Sequence, residues 1–148
     1  MKHFINYSIG TYACNLRCHY VAQNITFTQK VPDFKYFTKY IGKALSKKRL
    51  GETYMFNICA AGETLIPPKV IDYTKAILKE GHYVMIATNG MLTKRFGKFA
   101  ELLQDYRKRL FFKVSYHFLE LKRLNKFDVF FKNIELISFI YRRSAPIG

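Results

Sequence analysis

Acidic residues are scarce in this sequence: ten Asp and Glu stand against twenty-five Lys and Arg, for a net charge of +15. Such an imbalance attracts phosphates, nucleic acid or acidic partners. The cations, however, gather in runs such as Lys43, Lys47, Lys48 and Arg49, or Lys94, Arg95 and Lys98. There they also read as solvated faces and as charges complementing helix ends. No helix-turn-helix, zinc-finger or single-strand-binding signature accompanies them, so nucleic acid is expected only as a non-specific partner. Tryptophan is absent, and the 17% of aromatic residues are Phe and Tyr alone. No apolar run approaches the roughly 20 residues of a membrane span, which argues against a membrane partner. The opening Met1-Lys2-His3-Phe4-Ile5-Asn6-Tyr7 alternates like a strand and lacks the apolar core and cleavage site of a signal peptide. A cytoplasmic location is therefore expected. Repeats, low-complexity tracts and linkers are also missing, which leaves a single domain over 1–148.

What is present suits a packed core: 49% of the 148 residues are hydrophobic, enough for one domain. Strand and helix periods alternate along the chain. The pattern predicts strands over His3–Ile9, Thr53–Ala60, His82–Ala87 and Leu110–Tyr116. Between them it predicts a helix from Asp33 to about Gly51 with Phe34, Phe37, Ile41 and Leu45 inward. A second helix follows Pro67-Pro68, striped by Val70, Ile71, Thr74, Ile77 and Leu78 and closed by Gly81. A third carries Phe96, Phe99, Leu103 and Tyr106, and a last one, from about Asn125, carries Phe127, Phe131, Ile134 and Ile137. Strict β-α alternation implies a parallel sheet with right-handed crossovers, as either an open doubly wound sheet or part of a barrel. In both, ligands gather beyond the C-terminal ends of the strands. The unusual residues fall there: Cys14 and Cys18 after the first strand, Gly62-Glu63 after the second, Thr88-Asn89-Gly90 after the third, Ser115 and His117 at the end of the fourth.

Cysteine is rare, at three residues, and an odd number in a cytoplasmic chain is not a disulfide scaffold. Cys14 and Cys18, four apart in a polar loop, point to metal chemistry, although such a pair also fits half of a zinc site. Cys59 lies within the second strand and reads as a small buried hydrophobe. Glu63 could instead merely cap the second helix, Asn89-Gly90 is a common turn pair, and His117 could be a structural histidine.

The run Cys14-Asn15-Leu16-Arg17-Cys18-His19-Tyr20-Val21 resembles the cluster loop of radical S-adenosylmethionine enzymes, which place C-x3-C-x-aromatic-C directly after the first barrel strand. Both leading cysteines, their spacing and the aromatic Tyr20 match, whereas Val21 stands where the third cysteine is expected. Ala61-Gly62-Glu63-Thr64 is similar to the family's Gly-Gly-Glu segment, with Ala61 for the first glycine. The resemblance extends to about Ile140 and covers the first four of the family's usual six βα units.

That resemblance implies an α/β fold, a partial (β/α) barrel of about four parallel βα units, so that 1–148 reads as a fragment, the N-terminal portion of a radical SAM core. It implies a 4Fe-4S cluster lacking one usual ligand, held by Cys14 and Cys18, since soft thiolates suit the iron of such clusters. S-adenosyl-L-methionine would lie against Tyr20, Ala61, Gly62, Glu63, Asn89, Ser115 and His117. Gly62 would permit close backbone approach, and Glu63 would accept from the cofactor's ammonium. The activity implied is reductive cleavage of the cofactor, with an electron donor, to a radical that takes hydrogen from an unknown substrate. Valine cannot ligate iron, so the alternative is a degenerate, non-catalytic basic binding domain that keeps the fold.

Overall fold

Alternation of apolar residues in the strands decides how this chain folds. In β1 (His3–Ile9), β2 (Tyr54–Ala60), β3 (Tyr83–Thr88) and β4 (Leu110–Val114), every second side chain turns into one core. The computed structural model describes residues 3–18 and 38–142. Its four strands form one sheet in the order β1-β2-β3-β4, and every neighbouring pair is parallel. His3 pairs with Tyr54, Met55 with Tyr83 and Val84 with Leu110. Between the strands lie α1 (Thr38–Ala44), α2 (Lys47–Leu50), α3 (Val70–Lys79), α4 (Thr93–Ala100) and α5 (Gln104–Arg107). Past β4 come α6 (Phe118–Leu124) and α7 (Phe127–Arg142). Among the described residues no helix is long and apolar enough to cross a membrane.

One core joins the sheet to the helices. Ile9, Phe56, Ile58, Val84, Ile86 and Leu110 from the strands meet Ile41, Val70, Ile77, Phe96, Phe99, Ile137 and Ile140 from the helices. Fully burying such a side chain contributes about 1.5–3 kcal/mol. The alternate strand residues point the other way and stay half-buried or exposed: Phe4, Asn6 and Ser8; Met55, Asn57 and Cys59; Tyr83 and Met85; Phe111 and Lys113. Helices therefore cover one face of the sheet and leave the other open among the described residues. Cys59 belongs to that open face. The expectation of a buried cysteine fails because Phe56 and Ile58 take the inward positions of β2.

Several predicted helices differ from the observed ones. The first is broken at Leu45–Ser46 into α1 and α2, and its predicted start, with Asp33, Phe34 and Phe37, lies outside the described residues. The third breaks near residues 101–103, so Leu102 rather than Leu103 turns inward; Leu103 is 66% exposed. Helix α6 was not expected, because Asn125 reads as a helix start and is instead its left-handed end, with φ of 51°. In α7 the inward stripe is Phe130, Asn133, Ile137 and Ile140, whereas Phe131 is 52% exposed. Two adjacent phenylalanines made either register plausible, and packing against Tyr116 and the Gly90 turn selects Phe130.

His82, for which no role is expected, ties the entry to β3 to β2 and to the turn after α1. Its Nδ1 accepts from the Tyr54 N–H at 3.1 Å and its Nε2 donates to the Leu45 carbonyl at 2.6 Å, which fixes a neutral tautomer. Burial first, then the Lys47 and Arg109 charges, push its pKa below the ordinary value against the pull of the Leu45 carbonyl and Glu80. A histidine lowered in the folded state leaves the unfolded chain to take up the proton first. Stability should therefore be full above about pH 6.5 and fall as pH drops below it. Urea melts at neutral and mildly acidic pH should show this loss, and His82→Asn should lessen it.

Candidate functional site

The C-terminal ends of all four strands open onto one rim, and the cysteine loop is stitched to it by backbone bonds. Leaving β1, Thr11 folds back through its hydroxyl, which accepts from the Ala13 N–H at 3.2 Å. The Gly62 N–H donates to the Thr11 carbonyl at 3.0 Å and the Glu63 N–H to the Ala13 carbonyl at 2.8 Å. The 10–18 loop thus continues the parallel pairing of β1 with β2 beyond the strands. Ala13 and Leu16 are buried anchors, which leaves Cys14 and Cys18 half-buried at the rim.

Gly62 is glycine because the cysteine loop passes directly over it. A Cβ there would stand 2.2 Å from the Ala13 carbonyl oxygen and 2.7 Å from the carbonyl carbons of Tyr12 and Ala13. The close approach that the resemblance assigns to a cofactor is made here by the protein's own backbone.

Glu63 is the hub beneath the rim and only 2% exposed. Its Oε1 accepts from the Thr88 hydroxyl at 2.7 Å and the Leu65 N–H at 3.0 Å, and its Oε2 from the Asn89 N–H at 2.7 Å. Three donors on one carboxylate leave most of its roughly four lone-pair sites satisfied by the protein. Burial pushes its carboxyl above the usual range, against the pull of those three donors. Arg95 clamps the same loop from α4, donating to the carbonyls of Leu65 at 2.9 Å and Ile66 at 3.0 Å.

Asn89 carries the connection up to the cysteines. Its Oδ1 accepts from the Met91 N–H at 3.1 Å, and its Nδ2 donates to Asn15 Oδ1 at 2.7 Å and to Cys14 Sγ at 3.9 Å. Gly90, at φ +77°, turns the chain where a Cβ would stand 2.8 Å from a Val114 methyl. Burial raises the Cys14 thiol pKa, with smaller raising contributions from Glu63 and Cys18; the Leu16 backbone and Asn89 oppose it.

The other side of the loop meets the segment after β4. Cys18 Sγ lies 3.5 Å from His117 Nδ1, and the Arg17 N–H donates to Glu120 Oε2 at 3.0 Å. Glu120 is itself gripped by Arg123 through two bonds of 2.9 Å. Ser115 and His117 lie past β4, which ends at Val114, and not within it as expected; the Ser115 N–H still donates to the Thr88 carbonyl at 2.9 Å. Burial lowers the His117 pKa, with Glu120 opposing.

The fold therefore brings Cys14, Cys18, Gly62, Glu63, Asn89, Ser115 and His117 to one rim, with Ala61 and Ser115 exposed on it. Tyr20 and Val21, like His19, lie outside the described residues. Glu120 and Arg95 were missed by sequence reasoning, since an acid in a helix's first turn and a base on a helix are ordinary surface signals. Among the described residues no three of His, Cys, Asp and Glu stand together as a ready metal site. Compared with family models, curated proteins and solved structures, the chain matches none.

Proposed function

We propose that this chain is a relative of the radical SAM enzymes, its sheet a segment of barrel wall, and that its rim holds an iron–sulfur cluster on Cys14 and Cys18 with S-adenosylmethionine beside it. The observation that carries the reading is the placement of the C-x3-C loop. It leaves β1 at the ligand-binding end of a parallel sheet, and the segments after β2, β3 and β4 converge on it. Among the described residues helices cover one face of the sheet, as they do in a barrel wall, whereas a doubly wound sheet is covered on both.

The donor set suits such a group: two half-buried thiols, one within reach of the Asn89 amide and the other beside an imidazole. Hydrogen bonds to sulfur and partial burial are the protein's usual means of tuning a cluster. When bound, the cofactors supply the one-electron chemistry. Cys14 and Cys18 would hold iron, Asn89 would orient the Cys14 sulfur, and Ala61 and Ser115 would offer exposed rim to the rest of the cofactor. Glu63 would contribute by fixing the Thr88–Asn89 turn.

Anaerobic reconstitution of the full chain with ferrous iron and sulfide tests this reading. The protein should take up iron and sulfide and colour, Cys14→Ala should abolish the uptake, and Val21→Cys should raise it by restoring the third thiolate. Cysteine is smaller than valine and lacks its β-branch, so the change carries little steric cost. A starting chain and a Val21→Cys variant that both stay colourless would overturn the reading and favour the non-catalytic alternative.

A further inference from the structure

The helical side of the sheet carries a charged groove that the rim does not use. It lies between α1 and α3, with Tyr106 of α5 also lining it, and has a volume of about 870 Å³. Small residues bring the two helices together beneath it. A Cβ at Gly42 would stand 3.8 Å from that of Ala76, and these two, buried and half-buried, form the floor. The walls are lysine. Lys39 and Lys43 stand four apart on α1, and Lys75 and Lys79 four apart on α3, so each pair shares one helix face.

Like charges at that spacing repel each other, and nothing nearby relieves them. Elsewhere in the fold lysine has a carboxylate at hand, as in Lys98 with Glu101 at 3.2 Å and Lys108 with Asp105 at 3.8 Å. Among the described residues no ion pair reaches Lys39, Lys43, Lys75 or Lys79, and all four are exposed. A solvated surface accounts for scattered cations. It does not account for two rows of them flanking an uncharged floor.

The groove's two acids show what kind of anion fits. Asp72 and Glu80 also line it, so the order of charge along α3 is Asp72, Lys75, Lys79, Glu80, with the cations inside and a carboxylate at each end. Phosphates of a nucleic acid repeat without interruption. Such a strand would meet a carboxylate at either end of a stretch of about 12 Å, the rise of eight helical residues. A polypeptide helix carries its charges at chosen places. Carboxylates one turn apart would face the lysine rows, and apolar side chains between them would rest on Gly42 and Ala76, in the manner of a helix laid in a groove.

We infer that the groove between α1 and α3 docks an acidic amphipathic helix of a partner protein, held by Lys39, Lys43, Lys75 and Lys79. The site lies on the helical side of the sheet and is independent of what the rim binds. So short a groove suits a reversible contact rather than a permanent interface. Charge of this kind steers encounter and orientation, and salt weakens it.

Fluorescence anisotropy with the full chain tests the inference. The probe is a labelled synthetic helix with glutamates four apart flanking a row of alanine and leucine. It should bind at physiological ionic strength and weaken as salt rises, and an analogue with glutamine for glutamate should not bind. Lys43→Glu combined with Lys75→Glu should lower affinity about tenfold or more, because like charges then face each other. Lys43→Gln with Lys75→Gln should lower it less. Lys94→Glu with Lys122→Glu, exposed on α4 and α6, changes the net charge equally and should leave affinity within about twofold. All these side chains are exposed, so every variant should melt with the parent. Equal losses from the two charge-reversed pairs would show that net charge alone attracts the peptide and would overturn the groove, as would a parent chain that does not bind it. A single-stranded oligonucleotide that binds more tightly than the peptide, and depends on the same Lys43 and Lys75, would overturn the choice of partner.

Discussion

Gly62→Ala should destabilise the protein by about 3 kcal/mol or more and detach the cysteine loop from the sheet. The new Cβ would enter the Ala13 carbonyl at 2.2 Å, and what it meets is backbone, which has no rotamer to yield. Overpacking alone costs about 1–3 kcal/mol. Relief requires the loop to lift, which also breaks the bonds from the Gly62 and Glu63 N–H groups to Thr11 and Ala13, each worth about 1 kcal/mol. A lower urea midpoint, together with faster alkylation of Cys14 and Cys18, is the expected result. An unchanged midpoint with unchanged thiol reactivity would show that the loop does not rest on Gly62 in solution.

Glu63→Ala should be comparably damaging by a different route. It removes one carboxylate but orphans three donors: the Thr88 hydroxyl and the Leu65 and Asn89 N–H groups. A buried donor left unsatisfied costs about 1–3 kcal/mol, so a loss of about 3 kcal/mol or more is expected in a urea melt. Glu63→Gln should cost less, since its carbonyl still accepts from Thr88 and Leu65 and only the Asn89 N–H faces an amide. The two variants also separate in pH dependence from the wild type. The folded-state carboxyl is raised above its unfolded value by burial. Its contribution is then full below the unfolded pKa and is lost as pH rises through the folded one. Removing the group should flatten that part of the stability profile. An alanine variant as stable as the parent would mean that water or a neighbouring group satisfies all three donors.

The parts of this architecture that were legible are those governed by periodicity. Four strands, their parallel order and the gathering of Cys14, Glu63, Asn89 and Ser115 at one end follow from β-α alternation, because each strand's polar exit must fall on the same side of the sheet. The interruptions were not legible. The break at Leu45–Ser46, the turn at Leu102–Leu103 and the extra helix α6 depend on which side chain the tertiary core accepts. Leu102 and Leu103 are identical residues, as are Phe130 and Phe131, and only packing tells them apart. At the site, residue types pointed to the rim on which the structure gathers them, but the partners of Gly62 and Glu63 could not be read from a linear pattern. Their contacts are made with Ala13, Thr88 and Asn89, across loops whose register pairing alone sets.

The bond from the Arg17 N–H to Glu120 closes a stretch of 103 residues. Contacts of such separation form late, because the chain between them must be ordered before they stabilise anything. Synthesis runs in the opposite sense, since the N-terminal part leaves the ribosome first. The two thiols thus emerge well before Glu120 and α6, which seat their loop. Until α6 has docked, the loop has neither its Glu120 tether nor His117 beside it.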